Sequence, residues 1–447
     1  MNAPKVRNLY AITNVNIIPM TGDNRVIEDA TVVIKDSKII SINSEIPDHA
    51  FIIDGKGKWL IPGLIDMHVH NLADINFGKP YPTKGATHFI ETQDFMLLYV
   101  ANGVTTAFDL ISRVEHFGQR NEIVKGHVIG PRLALSAMIN GGDGSGRIAN
   151  TPEDGRQSVR NAAADGYDFI KVYSQLNIET FAAIVDEANK HGLKVVGHIP
   201  NAFKGQLEKA FIPNFAMVAH AEEYFKQATT FTEEEAKHFA KLAIENGTWL
   251  TTTLTVIERI REQSLTLDSM KNAPSFQYVP PLMQDKWVNA NRNYSGDTAA
   301  NVSKLDTLIA WNKMLIKAFK EAGVPIVAGS DAGSSGVVWG FSLHDELELL
   351  SESGLSNEET LIAATRLPAR WLQIEDKIGT VEAGKYADLL LLDANPLENI
   401  QNTRKINGVF VNGKWIERKT LDKMLSELAI RNAEKDEKDV WSKRKDF

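Results

Sequence analysis

From Ile61-Pro62-Gly63 onward the chain alternates short apolar runs with stretches of helical period. Eight runs, at 64–70, 104–110, 132–138, 169–173, 194–199, 215–221, 249–254 and 324–331, have the length of strands. Their near-continuous apolarity is what strands covered on both faces require. Between them lie amphipathic patterns such as 177–191 and 232–246. The second of these opens on Thr232-x-x-Glu235, a capping-box signature. Eight strands separated by helices predict the α/β class and a (β/α)8 TIM barrel rather than an open sheet.

The flanks have a different rhythm. Residues 10–19, 30–34 and 38–42 are rich in Val and Ile and are broken by turn signals at Gly22-Asp23-Asn24 and Asp36-Ser37. After the last barrel helices, 382–393 and 406–416 read as strands again, with Asn412-Gly413 as a hairpin turn. A small β-sandwich domain built from both chain ends is the simplest arrangement. The expected organisation is an N-terminal part at 1–62, the barrel at 63–375, a C-terminal part at 376–418, and a charged helix at 419–447 ending in Lys443-Arg444-Lys445. Residues 255–305 exceed an ordinary connection and carry Pro274, Pro280-Pro281, Trp287 and Tyr294. Two readings stand for this insertion: a lid or pocket wall, and a peripheral helical insertion or oligomer contact.

Composition narrows the chemistry. With 447 residues, 43% hydrophobic and 24% charged, the chain suits one large domain and a smaller one. The absence of cysteine excludes disulfides, thiolate metal sites and cysteine nucleophiles. A net charge of −8 argues against nucleic acid as a partner, because phosphate binding needs a basic face. No run approaches eighteen apolar residues, so no membrane association is expected. Met1 to Tyr10 has basic residues without an apolar core. The expectation is a soluble, cytoplasmic homo-oligomer acting on a small molecule or peptide, or a periplasmic or secreted one if a leader has been removed.

Polar residues on the barrel strands supply the candidate site. His68 and His70 stand at i, i+2, which places both imidazoles on one face of a strand. Two neutral nitrogens there can converge on a metal ion, although such pairs also occur on solvated strands. Lys171 lies in the fourth strand, and His198, His220 and Asp331 end the fifth, sixth and eighth. In a barrel all these ends open into one mouth, where barrel enzymes place their active sites. Each alone has a structural alternative: a hydrogen-bonded histidine, a surface lysine, or an aspartate capping the next helix. An ammonium has no lone pair for a metal. Lys171 would act as a ligand after reaction with carbon dioxide to a carbamate, or unmodified as a charge partner for Asp331. His49, His88, His116, His127, His191 and His238 lie off the strand ends, and His344 falls at a helix start.

These residues carry a family resemblance. Gly63-Leu64-Ile65-Asp66-Met67-His68-Val69-His70 resembles the opening signature of the amidohydrolase superfamily, and Gly329-Ser330-Asp331-Ala332 its closing aspartate motif. Lys171, His198 and His220 match the bridging lysine and the two histidines of the two-metal subtype. Gly384-Lys385-Tyr386-Ala387-Asp388-Leu389 is similar to a strand of the accessory β-domain. Gly130-Pro131-Arg132 followed by Gly141-Gly142-Asp143-Gly144 resembles the branch of imidazolonepropionase-like proteins and metal-dependent prolidases. Those prolidases usually continue the lysine strand into a glycine-containing loop, whereas here Val172-Tyr173-Ser174-Gln175 follows.

The resemblance implies a hydrolase of amide bonds in small substrates such as dipeptides or N-acyl amino acids. His68, His70 and Asp331 would hold one divalent ion, His198 and His220 a second, and carboxylated Lys171 would bridge them. Zinc is expected, with manganese and cobalt compatible with the same ligands. Such ions lower the pKa of a water to about 7. Asp331 would serve as general base and acid, and Tyr173 would donate to the oxyanion or else be a packed barrel tyrosine. The alternatives are a cyclic-amide hydrolase of the imidazolonepropionase kind, a deaminase, which typically needs no bridging lysine, and a non-catalytic scaffold. Specificity is expected in the loops 71–88, 138–150 and 255–305.

Overall fold

The computed structural model describes residues 8–22, 25–72, 74–75, 88–294 and 298–434. Met1 to Arg7, the turn residues Asp23 and Asn24, most of the loop 71–88, and the basic tail with Lys443 to Lys445 lie outside them.

Eight parallel strands run Leu64–Val69, Val104–Asp109, Arg132–Asn140, Phe169–Val172, Val195–Gly197, Phe215–Ala219, Trp249–Thr251 and Ile326–Val327, each hydrogen-bonded to the next. The first and last close the ring: Met67 N–H donates to Ala328 O (3.0 Å), Asp331 N–H to His68 O (2.8 Å) and His70 N–H to Ala332 O (2.8 Å). The chain is therefore a (β/α)8 barrel, as its pattern predicts. Several strands are shorter than the apolar runs that announced them. His198, His220 and Asp331 stand just beyond their strands, in the connections at the C-terminal rim.

The bore is filled in layers, as barrels require. Ile65, Met67, Phe108, Phe169, Val196, Met217 and Val327 form one buried cluster. Trp371, from the short helix Arg366–Trp371, packs into it, 5.0 Å from the Phe169 ring and 5.5 Å from that of Phe108. Two residues beyond Phe169 and Val196, on the same strand face, come Lys171 and His198. The bore is thus apolar at one end and carries the titratable groups at the other.

The helices Thr92–Ala101, Val114–Val124, Pro152–Asp165, Ile178–Lys190 and Glu233–Glu245 cover the outside. Between the fifth and sixth strands only two 3-10 turns intervene, Asn201–Phe203 and Leu207–Ala210. Thr232 caps its helix as expected, through the Glu235 N–H (3.3 Å). The capping box itself is not formed. Glu235 instead accepts from the backbone N–H groups of Thr229, Thr230 and Phe231, so it orders the turn before the helix.

A second sheet of eight strands is built from both chain ends. Its centre joins Trp59–Pro62 antiparallel to Leu389–Leu392, so residues over three hundred positions apart are direct neighbours. Leu389 and Leu391 face a core with Tyr10, Ile12 and Phe410, whereas Leu390 and Leu392 join the core that surrounds the barrel. The strand expected at 382–393 is confined to its last third. Asn412 and Gly413 have φ of 49° and 73°, the backbone a two-residue hairpin turn needs. The C-terminal helix runs Arg418–Glu434.

The insertion is helical, with Leu254–Leu265, Asp268–Lys271, Pro281–Asn289 and the 25-residue helix Thr298–Ala322. Trp287 stacks on Trp339 at 6.1 Å, and the Trp339 indole N–H donates to His70 O (3.0 Å). Gln263 and Asn291 bond to Ser335, in the loop that follows Asp331. The insertion therefore lies against the rim at the site.

Candidate metal centre

Backbone bonds between neighbouring strands pin each rim residue. His198 N–H donates to Val172 O (3.1 Å) and His220 N–H to Thr251 O (2.9 Å). In the first strand Ile65 and Met67 face the bore while Val69 belongs to the outer core. Pairing with the second strand shifts register between Asp66 and Val69. Such a shift re-aims side chains, and here it turns His68 and His70 toward the bore end. His220 and Asp331 have φ of 80° and 60°, values rarely adopted by residues other than glycine. Strain of this kind costs on the order of 1–3 kcal/mol and gathers at functional sites.

All six predicted groups meet. His68, His70 and Asp331 each offer one ligand atom, and the three atoms lie within 4.8 Å of one another. His70 Nε2 is 2.8 Å and His68 Nε2 3.4 Å from Asp331 Oδ1. The rings of His68 and His220 are 4.4 Å apart, and those of His198 and His220 4.9 Å. Tyr173 lies over His198, with ring centroids 3.9 Å apart. Lys171 is 1% exposed.

The polar atoms of this cluster are left unbonded. Among the described residues, His68 Nδ1 and Nε2, His70 Nδ1, Lys171 Nζ and Asp331 Oδ1 are buried without a hydrogen-bond partner. The short approach of His70 to Asp331 Oδ1 is thus close in distance but not aligned as a hydrogen bond. Buried polar atoms are nearly always paired, because leaving one unmet costs about 1–3 kcal/mol. Imidazoles and a carboxylate with converging ligand atoms, several of them without a hydrogen-bond partner, form a donor set suited to a divalent cation. The residues present fit the ions that the resemblance implies.

Electrostatics agree. Burial, reinforced by Lys171 and the neighbouring histidines, holds His68 well below the ordinary imidazole value; burial and Lys171 do the same to His198, and burial and His198 to His220. These three rings are neutral. Burial would raise Asp331, but His70, His220 and Lys171 outweigh it and hold the carboxyl at about 2. Burial pulls Lys171 down to about 7 against the attraction of Asp331 and Glu223. Burial also raises the Tyr173 phenol, with Asp331 adding to the effect, so the hydroxyl keeps its proton.

Several supporting residues escape sequence reasoning. Asp66 accepts from Ser330 N–H (2.9 Å), Ser330 Oγ (2.5 Å) and His68 N–H (3.2 Å), tying the histidine strand to the aspartate loop. Burial raises its carboxyl to about 7 against these bonds. Glu223 lies 3.1 Å from His198 Nδ1, and Ser174 Oγ 2.7 Å from the same nitrogen. Thr253 Oγ1 lies 2.7 Å from His220 Nδ1. Asp66 and Ser330 lie inside the two quoted motifs, Ser174 follows Tyr173 and Glu223 stands three residues after His220, so each had a local cue. The partners of Thr253 and His220 are set by folding and leave no mark in the sequence. His116 and His344 are buried structural histidines, bonded to the backbone carbonyls of Asn71 and Asn102.

The profile of the amidohydrolase family matches residues 59–416. Over 440 residues the chain is 24% identical to the imidazolonepropionase of Thermoplasma volcanium, covering 92% of this chain and 98% of that enzyme. Among solved structures, an Xaa-Pro dipeptidase with bound methionine in its active site superposes with a TM-score of 0.69 at 23% identity, over 92% of this chain and 100% of the other. The bottromycin amidohydrolase superposes with a TM-score of 0.74 at 20% identity, over 96% and 91%.

Proposed function

The chain belongs to the amidohydrolase family, a hydrolase acting on carbon–nitrogen bonds, and from that premise we propose that it cleaves the amide bond of a small substrate such as a dipeptide or N-acyl amino acid. The observation that carries this reading is the cluster of buried, unpartnered ligand atoms on His68, His70, Lys171 and Asp331 beside His198 and His220. In this reading His68, His70 and Asp331 would hold one ion and His198 and His220 a second, with Lys171, as a carbamate, supplying oxygens to both. Zinc is the expected metal. A buried amine with no hydrogen-bond partner favours that modification: Nζ adds to carbon dioxide and loses a proton, leaving a carbamate whose two oxygens share one negative charge, where an ammonium would repel metal.

Ions held there supply an acidified water and a Lewis acid for the carbonyl. The remaining work falls to side chains. Asp331 Oδ1 faces the two histidines, and Oδ2, braced by the Ser334 hydroxyl at 3.1 Å, takes a proton and returns it to the leaving nitrogen. The Tyr173 hydroxyl, kept protonated and held over His198, donates to the carbonyl oxygen as charge develops on it. Trp339 and the insertion behind it fix His70 and wall the mouth.

A cyclic-amide substrate is the second reading, favoured by the imidazolonepropionase likeness over 92% of the chain. The two separate in a screen of metal-loaded protein against dipeptides, N-acyl amino acids and cyclic amides. New amine from the linear amides is expected; turnover of cyclic amides alone would establish the second reading instead.

A further inference from the structure

Thr253 stands at the N-cap of the helix Leu254–Leu265, yet its hydroxyl makes no cap bond. A threonine there normally turns its oxygen onto the helix's own N–H groups. Glu346, fully buried on the helix Phe341–Glu352, takes over that duty. Its carboxylate accepts from Leu254 N–H (2.9 Å), Thr255 N–H (2.8 Å), the Thr255 hydroxyl (2.8 Å) and the Thr252 hydroxyl. The donors flank Thr253 on both sides, and none is Thr253 itself. Between them its backbone is held at φ 50°, ψ 43°, a left-handed conformation that a β-branched residue rarely takes. The freed hydroxyl meets His220 Nδ1 at 2.7 Å. Helix capping alone needs neither the strain nor the diversion.

The other histidine of the pair is treated alike. His198 Nδ1 is hydrogen-bonded with the Ser174 hydroxyl at 2.7 Å, and the Glu223 carboxylate, which accepts from Ile199 N–H and Lys226, lies 3.1 Å from the same nitrogen. By contrast, neither ring nitrogen of His68 has a hydrogen-bond partner among the described residues.

We infer that Thr253, clamped by Glu346, is a positioning residue for His220, and that Ser174 is one for His198. Each hydroxyl would accept the Nδ1 proton, which would leave Nε2 free to serve the second ion. Partners beyond the ligands fix tautomer and ring orientation, and their loss typically costs 10–100-fold in metal affinity. The inference rests on the two-ion reading above.

Titration of the metal-free protein with Co2+, followed by metal analysis and visible absorption, tests it. Wild type is expected to take up two ions. Thr253→Val keeps the shape without the hydroxyl and is expected to bind the first ion as wild type and the second 10–100-fold more weakly. Thr253→Ser restores the hydroxyl and is expected to lie within about threefold of wild type. Thr253→Gly relieves the backbone, so the metal-free protein should unfold at the same or a higher temperature while the second ion is still lost. Unchanged uptake of both ions by the Val and Gly variants would overturn the inference while leaving the two-ion reading intact. Loss of affinity that merely follows loss of thermal stability would also overturn it, as would equal loss in Thr253→Ser. Wild type binding fewer than two ions would remove the two-ion reading and the inference together.

Discussion

At the barrel mouth, His68 stands out less by its type than by the hydrogen-bond partners it is denied. His344 makes the contrast plain: Nε2 donates to Asn102 O at 3.0 Å, and Nδ1 lies 2.9 Å from the Thr403 hydroxyl. It is satisfied, whereas the equally buried His68 is not. Sequence position also sets them apart, because His68 lies near the end of a barrel strand and His344 near the start of a helix. What sequence could not show was which nitrogens would find partners, since Thr253 and Glu346 reach the site from 33 and 126 positions beyond His220. His344 also carries a pH dependence. Burial lowers its pKa from 6.5 to about 3. The unfolded chain therefore binds the proton first, and the stability owed to the neutral ring is whole above pH 6.5 and lost as pH falls toward 3. The loss runs at up to about 1.4 kcal/mol per pH unit. Unfolding of metal-free His344→Gln between pH 8 and 4 is expected to show a shallower acid slope than wild type, by about one proton; equal slopes would contradict this.

Elements were legible where periodicity was long and obscure where it was short. The helices Ile178–Lys190 and Glu233–Glu245 fall within a residue of expectation, since each carries a full amphipathic face. The strands Phe51–Asp54 and Trp59–Pro62, four residues each, were not distinguished from connection, because their pairing with distant strands rather than any local pattern makes them strands. The rim residues lie beyond their predicted strands, and at two of them, His220 and Asp331, the backbone departs from strand geometry with a positive φ. The insertion offers a test at this scale. Tyr278 stacks on Phe341 at 5.7 Å and is partly exposed, whereas Trp287 is 3% exposed behind Trp339 and His70. With the insertion as a substrate wall, Tyr278→Ala is expected to change the ranking of amide substrates by kcat/KM with metal content unchanged. Trp287→Ala is expected to destabilise by about 3–5 kcal/mol as a buried aromatic is removed. Metal loss in Tyr278→Ala with unchanged substrate ranking would exclude the wall.

At the scale of the molecule, the closed ring of strands is what makes six groups, spread over more than 260 positions, into one site. The second sheet braces that ring from outside: Arg132, at the start of the third barrel strand, pairs with the buried Asp388 at 2.6 Å and lies over the Tyr386 ring at 4.4 Å. The motif around Asp388 was visible in the sequence, but its bond to Arg132 was not, because it joins elements 256 positions apart. Substrate identity is the least legible property of all, since it belongs to loops whose side chains follow no period. The central claim, a two-ion centre bridged by Lys171, is tested most directly by metal analysis of zinc-loaded wild type and Lys171→Ala in bicarbonate-containing buffer. Two ions per wild-type chain are expected, with metal content and amide turnover falling together in the variant. One ion or none in wild type, or a variant that keeps both metal and turnover, would contradict it.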